Sequence, residues 1–452
     1  MTDTLMVGVS GVRGIVGKDL TDEVVMRYAR AFGMWAAEHA PLVVVGRDAR
    51  TSGPAFERAV TAGLGSVGCD VVTVGLAPTP TIQLAVEHHA AGGGIAITAS
   101  HNPIEWNALK FIGPDGIFLD GADGARVQNL MVEGGAGRGR AGKVSTDERA
   151  VERHLAAVLE LPAVDVERVR KRKFAVALDA VRGAGGPVMR ALLERLGCSV
   201  TGINLETDGR FPRAPEPVPE NLGELSALVR RTGADVGIAV DPDVDRLAIV
   251  DESGTAIGED YTLAFAVRAV LGERGRAKGQ NVVCNLSTSL VVEDAAREHG
   301  ATIVRTPVGE VHVARAILRL GAVIGGEGNG GVMYPALHAG RDAPVAAALV
   351  LQLLARTGKR VGELVAAAPR YTIVKAKAPR GPALEPVYAA LRRRFADAQA
   401  DVQDGLRLAW PDRWLHVRPS NTEPIIRLIA EAPSGALARD LVDEGRRLCA
   451  AS

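Results

Sequence analysis

Val236-Gly237-Ile238-Ala239-Val240-Asp241-Pro242-Asp243-Val244-Asp245-Arg246 runs five apolar residues into three carboxylates and an arginine. An apolar run this short, rich in Val and Ile and without polar alternation, reads as a strand buried on both faces, as in a parallel sheet covered by helices. The acids that follow are two apart, a spacing that on extended backbone points all three to one side. Like charges so close repel unless a cation sits among them, and hard oxygen ligands favour Mg²⁺ or Ca²⁺. Counted from Asp241, an EF-hand loop fits at its third, fifth and twelfth positions (the last is Glu252). Its sixth position needs Gly and holds Arg246, however, and the flanks are strands, so that reading is rejected.

Upstream and downstream, the same strand–helix–strand–helix–strand phrase occurs three times. The first copy has strands at Leu42–Gly46, Gly68–Gly75 and Gly94–Thr98. The second has them at Phe174–Leu178, Gly197–Val200 and Val236–Val240, and the third at Asn281–Cys284, Gly300–Val304 and Ala322–Gly325. Before each middle strand a helical stretch ends on Gly (Gly68, Gly197, Gly300), a common C-terminal helix signal. After Pro369 the pattern changes: Tyr371–Lys375 and Trp414–Arg418 alternate, and Leu384–Asp397 and Ser434–Ala450 read as helices. The predicted architecture is α/β: three tandem mixed α/β domains (1–150, 151–252, 253–368) and a C-terminal α+β domain (369–452). Glu133–Arg140 reads as a Gly-rich loop and Phe211–Pro219 as an ordered Pro-rich loop crossing the second domain.

Each copy ends in a chemically loaded segment, and ligands of open α/β sheets bind beyond the carboxyl ends of strands. After the first copy comes Thr98-Ala99-Ser100-His101-Asn102-Pro103. There is no Gly-x-Ser-x-Gly elbow, so a hydrolase triad is not supported. A serine that carries a phosphoryl group fits better, its phosphate completing the coordination of an ion held by Asp241, Asp243 and Asp245, with Lys110 and Arg246 neutralising charge on the moving group. After the third copy, Gly326-Glu327-Gly328-Asn329-Gly330-Gly331 formally matches Gly-x-Gly-x-x-Gly. No helix follows, so a dinucleotide site is not expected; Glu327 and Asn329 suit vicinal hydroxyls of a sugar. A Walker loop at Gly14–Lys18 fails for want of Gly at position 12. Arg418, Ser420, Asn421 and Thr422, with Arg427 nearby, form a donor set for a phosphate that is not transferred.

The bulk composition narrows the function classes. The chain has 452 residues, which calls for several domains rather than one core. Lys plus Arg equals Asp plus Glu at 53 each and aromatics are 4%, giving no bulk argument for nucleic acid or an anionic membrane. The four cysteines are scattered without metal-ligand spacing, and three of them, in or beside apolar strand-like runs, read as buried thiols. The most apolar stretch, Ala343–Ala355, falls short of the ~20 residues that span a bilayer. With no basic n-region and apolar h-region at the start, a cytoplasmic home is expected.

These motifs resemble, over the whole chain, the α-D-phosphohexomutase superfamily. Thr-Ala-Ser100-His101-Asn-Pro is similar to its phosphoserine loop and Asp241-Pro-Asp243-Val-Asp245-Arg246 to its metal loop. Gly-Glu327-Gly-Asn329-Gly330-Gly is similar to its sugar loop and Arg418-Pro-Ser420-Asn421-Thr422 to its phosphate loop. Ser10-Gly-Val-Arg13-Gly, Gly46-Arg47-Asp48 and Pro215-Glu216-Pro217 are further family-like phrases. The resemblance implies four domains in a heart shape around a central cleft. It also implies a phosphoserine at Ser100 that gives its group to a hexose monophosphate and takes the other phosphate back from a bisphosphate intermediate. Implied with it are one Mg²⁺ held by Ser100 and the three Asp residues, and priming by a hexose 1,6-bisphosphate. Catalytic roles are implied for Ser100, His101, Lys110, Arg13 and Arg246, and substrate contacts for Glu327, Asn329, Gly330, Arg418, Ser420, Asn421, Thr422 and Arg427. The partner is a small hexose phosphate, with no nucleic acid or membrane, for a monomer or homodimer. The form of the sugar loop, followed by Gly340-Arg341-Asp342, resembles the archaeal-type phosphoglucosamine mutase branch. Departures from other branches are Ala108 before Leu109-Lys110, Pro242 in the metal loop and the lack of a His in Thr306–Glu310. The substrate reading is therefore glucosamine 6-phosphate and glucosamine 1-phosphate, with mannose or glucose phosphates as the alternative and a non-catalytic sensor or a phosphatase as remoter ones.

Overall fold

Each of the three repeats folds into a parallel trio with one strand order: middle, first, last. The structure is a computed structural model that describes residues 5–134, 141–273, 278–379, 383–420 and 425–450. In the first trio, Leu42–Arg47 lies between Asp70–Leu76 and Gly93–Ile97. In the second, Ala175–Asp179 lies between Ser199–Ile203 and Val236–Val240. In the third, Asn281–Asn285 lies between Thr302–Thr306 and Ile324–Glu327. The first and last strands of each trio are buried along most of their length, as their unbroken apolar runs require, and Val236–Val240 is buried at every position, whereas the outer strands Ser199–Ile203 and Thr302–Thr306 are largely half-buried or exposed. Gly68, Gly197 and Gly300 have φ of +83°, +78° and +72°, the left-handed conformation that ends a helix and that glycine adopts without a Cβ penalty.

A strand antiparallel to the last one closes each trio: Trp106–Ile112, Leu247–Val250 and Gly331–Met333. The serine loop, the acidic loop and the Gly-rich loop are thus the same connection in three copies, the turn between a parallel strand and its antiparallel neighbour. The first sheet is widened to seven strands by Met6–Gly8, Gly11–Ile15 and Val144–Thr146. The fourth sheet is wholly antiparallel, in the order Thr372–Pro379, Ile425–Ala432, Trp414–Pro419, Leu406–Ala409 and Gln399–Asp401. Residues 135–140 of the expected Gly-rich loop lie outside the described residues.

One hydrophobic core runs through the second and third units, centred on the helices Asp260–Glu273 and Ala343–Thr357. Every residue from Ala343 to Leu354 is buried, which accounts for the most apolar stretch of the chain. Among the described residues no helix is long and apolar enough to cross a membrane. Cys69, Cys198 and Cys284 are buried free thiols and Cys449 is half-buried.

The fourth sheet docks on the third unit through polar contacts at the start of the helix Leu290–Glu298. Glu431 is buried and accepts from Leu290 N (2.8 Å), Trp414 Nε1 (2.7 Å) and the Ser289 hydroxyl. His416, fully buried, meets Ser287 Oγ at 2.8 Å and the Asp404 carbonyl at 2.7 Å. Burial pushes the His416 imidazole down to about 4. A base whose folded pKa lies below its unfolded value contributes stability that is complete above the unfolded value, ~6.5, and is lost as pH falls toward the folded one. Stability is therefore expected to decline between pH 6.5 and 4 with a slope of up to about 1.4 kcal/mol per pH unit from this group. His416→Gln should flatten that limb in denaturant titrations at a series of pH values; an unchanged slope would remove His416 from the pH response.

Candidate active site

Ser100 Oγ donates a 2.8 Å hydrogen bond to Asp241 Oδ2, 141 positions away in sequence. Ser100 itself is 6% exposed and sits at φ +47°, a left-handed conformation that costs a non-glycine residue roughly 1–2 kcal/mol. The other Asp241 oxygen accepts from the backbone N–H groups of Asp245 and Arg246, both at 3.2 Å. Asp243 Oδ2 accepts from Thr79 Oγ1 and Lys110 Nζ, each at 2.7 Å, and Asp245 Oδ2 accepts from Arg341 Nη2 at 2.6 Å. Residues 241–246 form a turn, with Val244 at φ +61°, so the expectation of extended backbone is corrected. Chain reversal brings the three carboxylates together where strand alternation was expected to do so.

The charges in this cluster are steeply differentiated. Burial, then the charges of Asp245 and Asp243, raises Asp241 well above the carboxylate range. Asp243 is pushed up by burial too, but Lys110 and the hydrogen bonds it accepts outweigh that and hold it far below. The Arg246 charge first, then burial, drives His101 down to about 2, so its imidazole is neutral, with Nδ1 3.5 Å from Ser100 Oγ.

A cation fits this cluster on the donors alone. One oxygen from each of Asp241, Asp243 and Asp245 falls within 4.8 Å of the others. Asp243 Oδ1 and Asp245 Oδ1 are buried with no hydrogen-bond donor, a state that costs about 1–3 kcal/mol or more per atom unless a cation meets them. All-oxygen, carboxylate-rich donors suit a hard divalent ion.

The Gly-rich loop abuts the acidic loop through backbone. Leu247 N donates to the Gly330 carbonyl at 3.0 Å, and Gly330 has φ +85°. A Cβ there would lie 2.4 Å from the Leu247 carbonyl oxygen. Gly330→Ala is therefore expected to cost about 1–3 kcal/mol and to raise KM by displacing the loop; a variant with wild-type Tm and KM would show that the contact yields freely. Glu327 ends its strand, is buried, and is far more tethered than a residue on a flexible loop. It accepts from Asn285 Nδ2 (2.8 Å), Gly309 N (3.2 Å), Asn329 Nδ2 (3.4 Å) and Arg341 Nη1 (2.8 Å). Burial pushes Glu327 up, but Arg341 and these donors carry it below the usual range. Asn329 Oδ1 accepts from Gly331 N at 3.1 Å, closing the turn.

In the fourth unit Arg418 lies within the strand Trp414–Pro419, its Nε 2.9 Å from Asp404 Oδ2. Ser420 is buried and bonds to Ile425 through its backbone. Asn421 and Thr422 lie outside the described residues. Arg427 lies close enough to Arg13 that its charge, after burial, lowers the Arg13 pKa. Arg13 Nη1 in turn reaches Asn102 Oδ1 at 3.5 Å, so a cation of the fourth unit approaches the serine loop. Arg246, 7% exposed, extends to Glu216 Oε1 at 3.4 Å.

Several residues that organise the site were not singled out by the sequence. Arg341 joins three carboxylates: Asp245, Glu327, and Glu310 at 3.0 Å from its Nε. Thr79 holds Asp243 from the first unit, and Asp48, Thr98 and Arg50 lie beneath the serine loop. Gly340-Arg341-Asp342 and Gly46-Arg47-Asp48 were the available signals, and neither phrase states what its charges meet.

Three units built on one repeat and a fourth of different topology, with a seryl hydroxyl of the first set against a carboxylate cage of the second, are the arrangement of the phosphohexomutase class of fold. Consecutive models of the phosphoglucomutase/phosphomannomutase family match the chain: α/β/α domain I at 4–136, domain II at 152–254, domain III at 258–371 and the C-terminal domain at 374–448. A "Phosphoglucomutase/phosphomannomutase" of Thermococcus kodakarensis is 39% identical, over 98% of this chain and 97% of its own. A "Probable phosphoglucosamine mutase" of Methanopyrus kandleri is also 39% identical, over 97% and 96%. The crystal structure of a phosphoglucomutase/phosphomannomutase family protein from Burkholderia thailandensis superposes with a TM-score of 0.85 at 28% identity, over 98% of this chain and 96% of its own. The chain belongs to the phosphoglucomutase/phosphomannomutase family.

Proposed function

We propose that this protein interconverts glucosamine 6-phosphate and glucosamine 1-phosphate by way of a phosphorylated Ser100. The observation that carries the reading is the Ser100 Oγ–Asp241 hydrogen bond, which sets a nucleophilic oxygen at the edge of a three-carboxylate cage. In the forward direction the sugar 1-hydroxyl oxygen attacks phospho-Ser100, the P–Oγ bond breaks, the hydroxyl proton ends on Ser100 Oγ, and a hexose 1,6-bisphosphate results. After the sugar turns round, Ser100 Oγ attacks the 6-phosphate, and the 6-hydroxyl oxygen leaves and takes up a proton. Asp241, Asp243, Asp245 and the seryl phosphate would hold Mg²⁺, which offsets phosphate charge and polarises the P–O bonds.

The chain's own residues account for the rest. Lys110, now on Asp243, and Arg246, whose Nε lies 3.7 Å from Asp245 Oδ1, would meet the charge of the moving group. Neutral His101 beside Ser100 Oγ can pass a proton by taking one at one ring nitrogen as it releases one from the other, with no net change in its charge. Glu327 and Asn329 would read sugar hydroxyls or the amino group, and Arg418, Ser420, Asn421, Thr422 and Arg427 the phosphate that is not in transfer. Catalysis starts only from phosphoenzyme, so a hexose 1,6-bisphosphate serves as primer. A phosphorylated sugar does not cross a bilayer unaided, which suits a cytoplasmic enzyme.

The glucosamine assignment rests on the Glu327-Gly-Asn329-Gly-Gly form of the sugar loop and on the Methanopyrus relative. The Thermococcus relative, equally identical, favours glucose or mannose phosphates as the second reading. Rates on glucosamine, glucose and mannose 6-phosphates, measured with Mg²⁺ and the cognate bisphosphates, test both. The highest kcat/KM is expected on glucosamine 6-phosphate; a larger value on mannose or glucose phosphate overturns the assignment, and release of free phosphate in place of isomer overturns the mutase reading.

A further inference from the structure

Beneath the serine loop lies a guanidinium that no part of the transfer chemistry accounts for. Arg50 is 1% exposed. Its Nη2 donates to the carbonyls of Ser100 and Asn102, both at 2.7 Å, and its Nη1 to those of Pro103 (2.7 Å) and Trp106 (2.8 Å). Its Nε and backbone N donate to Asp48 at 3.2 and 2.9 Å. Asp48 is itself held by Thr98 Oγ1 at 2.7 Å, and Thr98 Oγ1 accepts from Ser100 N at 2.9 Å. All five N–H donors of a guanidinium are available for such a fork, and a lysine ammonium has only three, with no planar geometry. The second unit closes over this arrangement. Phe211 lies 5.0 Å from the Arg50 guanidinium, and Gly209, at φ +68°, comes so close that a Cβ would be 2.1 Å from the Ala49 carbonyl.

We propose that Arg50 is a positioning residue for phosphoryl transfer: it holds Ser100 in its left-handed conformation, with Oγ aimed at the cage, through both the free and the phosphorylated states. The inference rests on the phosphoserine reading above. Ser100 at φ +47° is a conformation the chain would leave if unsupported. The carbonyl oxygens of the loop are taken up by a cation and so are not left facing a phosphate dianion. Relaxation of the loop would move Oγ without touching any sugar contact, and a displacement of about 1 Å at a reacting atom can cost on the order of 100-fold in rate. The effect should therefore fall on kcat and leave KM alone.

The experiment is steady-state kinetics on full-length wild type, Arg50→Lys, Arg50→Gly with and without millimolar guanidinium chloride, and Thr98→Val, all with saturating bisphosphate. In Arg50→Lys, kcat should fall at least ~30-fold with KM for the monophosphate within about twofold. Guanidinium should restore part of the Arg50→Gly loss, a response a purely structural lesion does not give. Thr98→Val, which keeps its volume, should lower kcat by about 5–10-fold at unchanged KM, and it decides the matter should the Arg50 variants fail to fold. An Arg50→Lys enzyme within threefold of wild-type kcat overturns the proposal, as does a loss shared equally by kcat and KM or a Thr98→Val enzyme that behaves as wild type. Wild type that turns over no hexose phosphate, or that never labels Ser100, instead sinks the parent reading, and this inference with it.

Discussion

Ser100→Ala is expected to lose at least ~10³-fold in turnover while still binding hexose phosphate. The oxygen it removes is the one proposed to accept and return the phosphoryl group, and no other hydroxyl of the described loop contacts the acidic cage from that side. Thr98 Oγ1, the nearest alternative in sequence, is committed to Asp48 and to Ser100 N. Loss of the hydroxyl also strips Asp241 Oδ2 of its donor, so a stability loss of about 1–3 kcal/mol should accompany the kinetic one. Isotope transfer from labelled bisphosphate to protein, alongside kcat and the dissociation constant for substrate, checks this. Retention of more than a tenth of wild-type turnover would move the nucleophile elsewhere.

Asp243→Asn should be nearly as damaging, for a different reason. Lys110 and Thr79 donate to one oxygen of Asp243, which helps hold it below the usual carboxylate range, and leave the other bare. An amide keeps the shape, supplies one neutral acceptor and turns an N–H toward a lysine or a cation. Divalent-ion affinity is expected to drop by 10–100-fold or more and kcat by at least ~100-fold. A readout independent of activity is available: bound as proposed, Mg²⁺ at 100 times its Kd would stabilise the folded wild type by about 2.7 kcal/mol. The variant should lose most of that gain at the same concentration. A Mg²⁺ titration with the same midpoint as wild type would falsify the assignment of Asp243 as a ligand.

The parallel strands were legible because residues buried on both faces leave uninterrupted Val and Ile runs, and Val236–Val240 is buried at every position. The serine and acidic loops could be located for the same reason: they begin where such a run ends. In the fourth unit two strands and both helices stood out, whereas the eight-residue Ile425–Ala432 was given no bounds, and Gln399–Asp401 and Leu406–Ala409 are too short to show a period. The pairing of Ser100 with Asp241 was expected from the chemistry of three neighbouring carboxylates. The turn that gathers them was not, because positive φ at Val244 leaves no mark in a β-branched residue. Arg50, Thr79, Glu310 and Arg341 escaped for a more general reason. Each acts by what it meets in space across another loop or unit, and an arginine in a polar turn reads locally as surface charge.

The serine, acidic and Gly-rich loops leave their sheets at one equivalent turn, and each is anchored by its own pair of strands. Change inside one loop can therefore leave the strands that carry the other two in place, except at shared contacts such as the Gly330 carbonyl on Leu247 N and Arg341 on Asp245 and Glu327. On the proposed division of roles, sugar preference can drift at third-unit positions away from those contacts while the phosphoryl-transfer residues of the first and second units stay fixed.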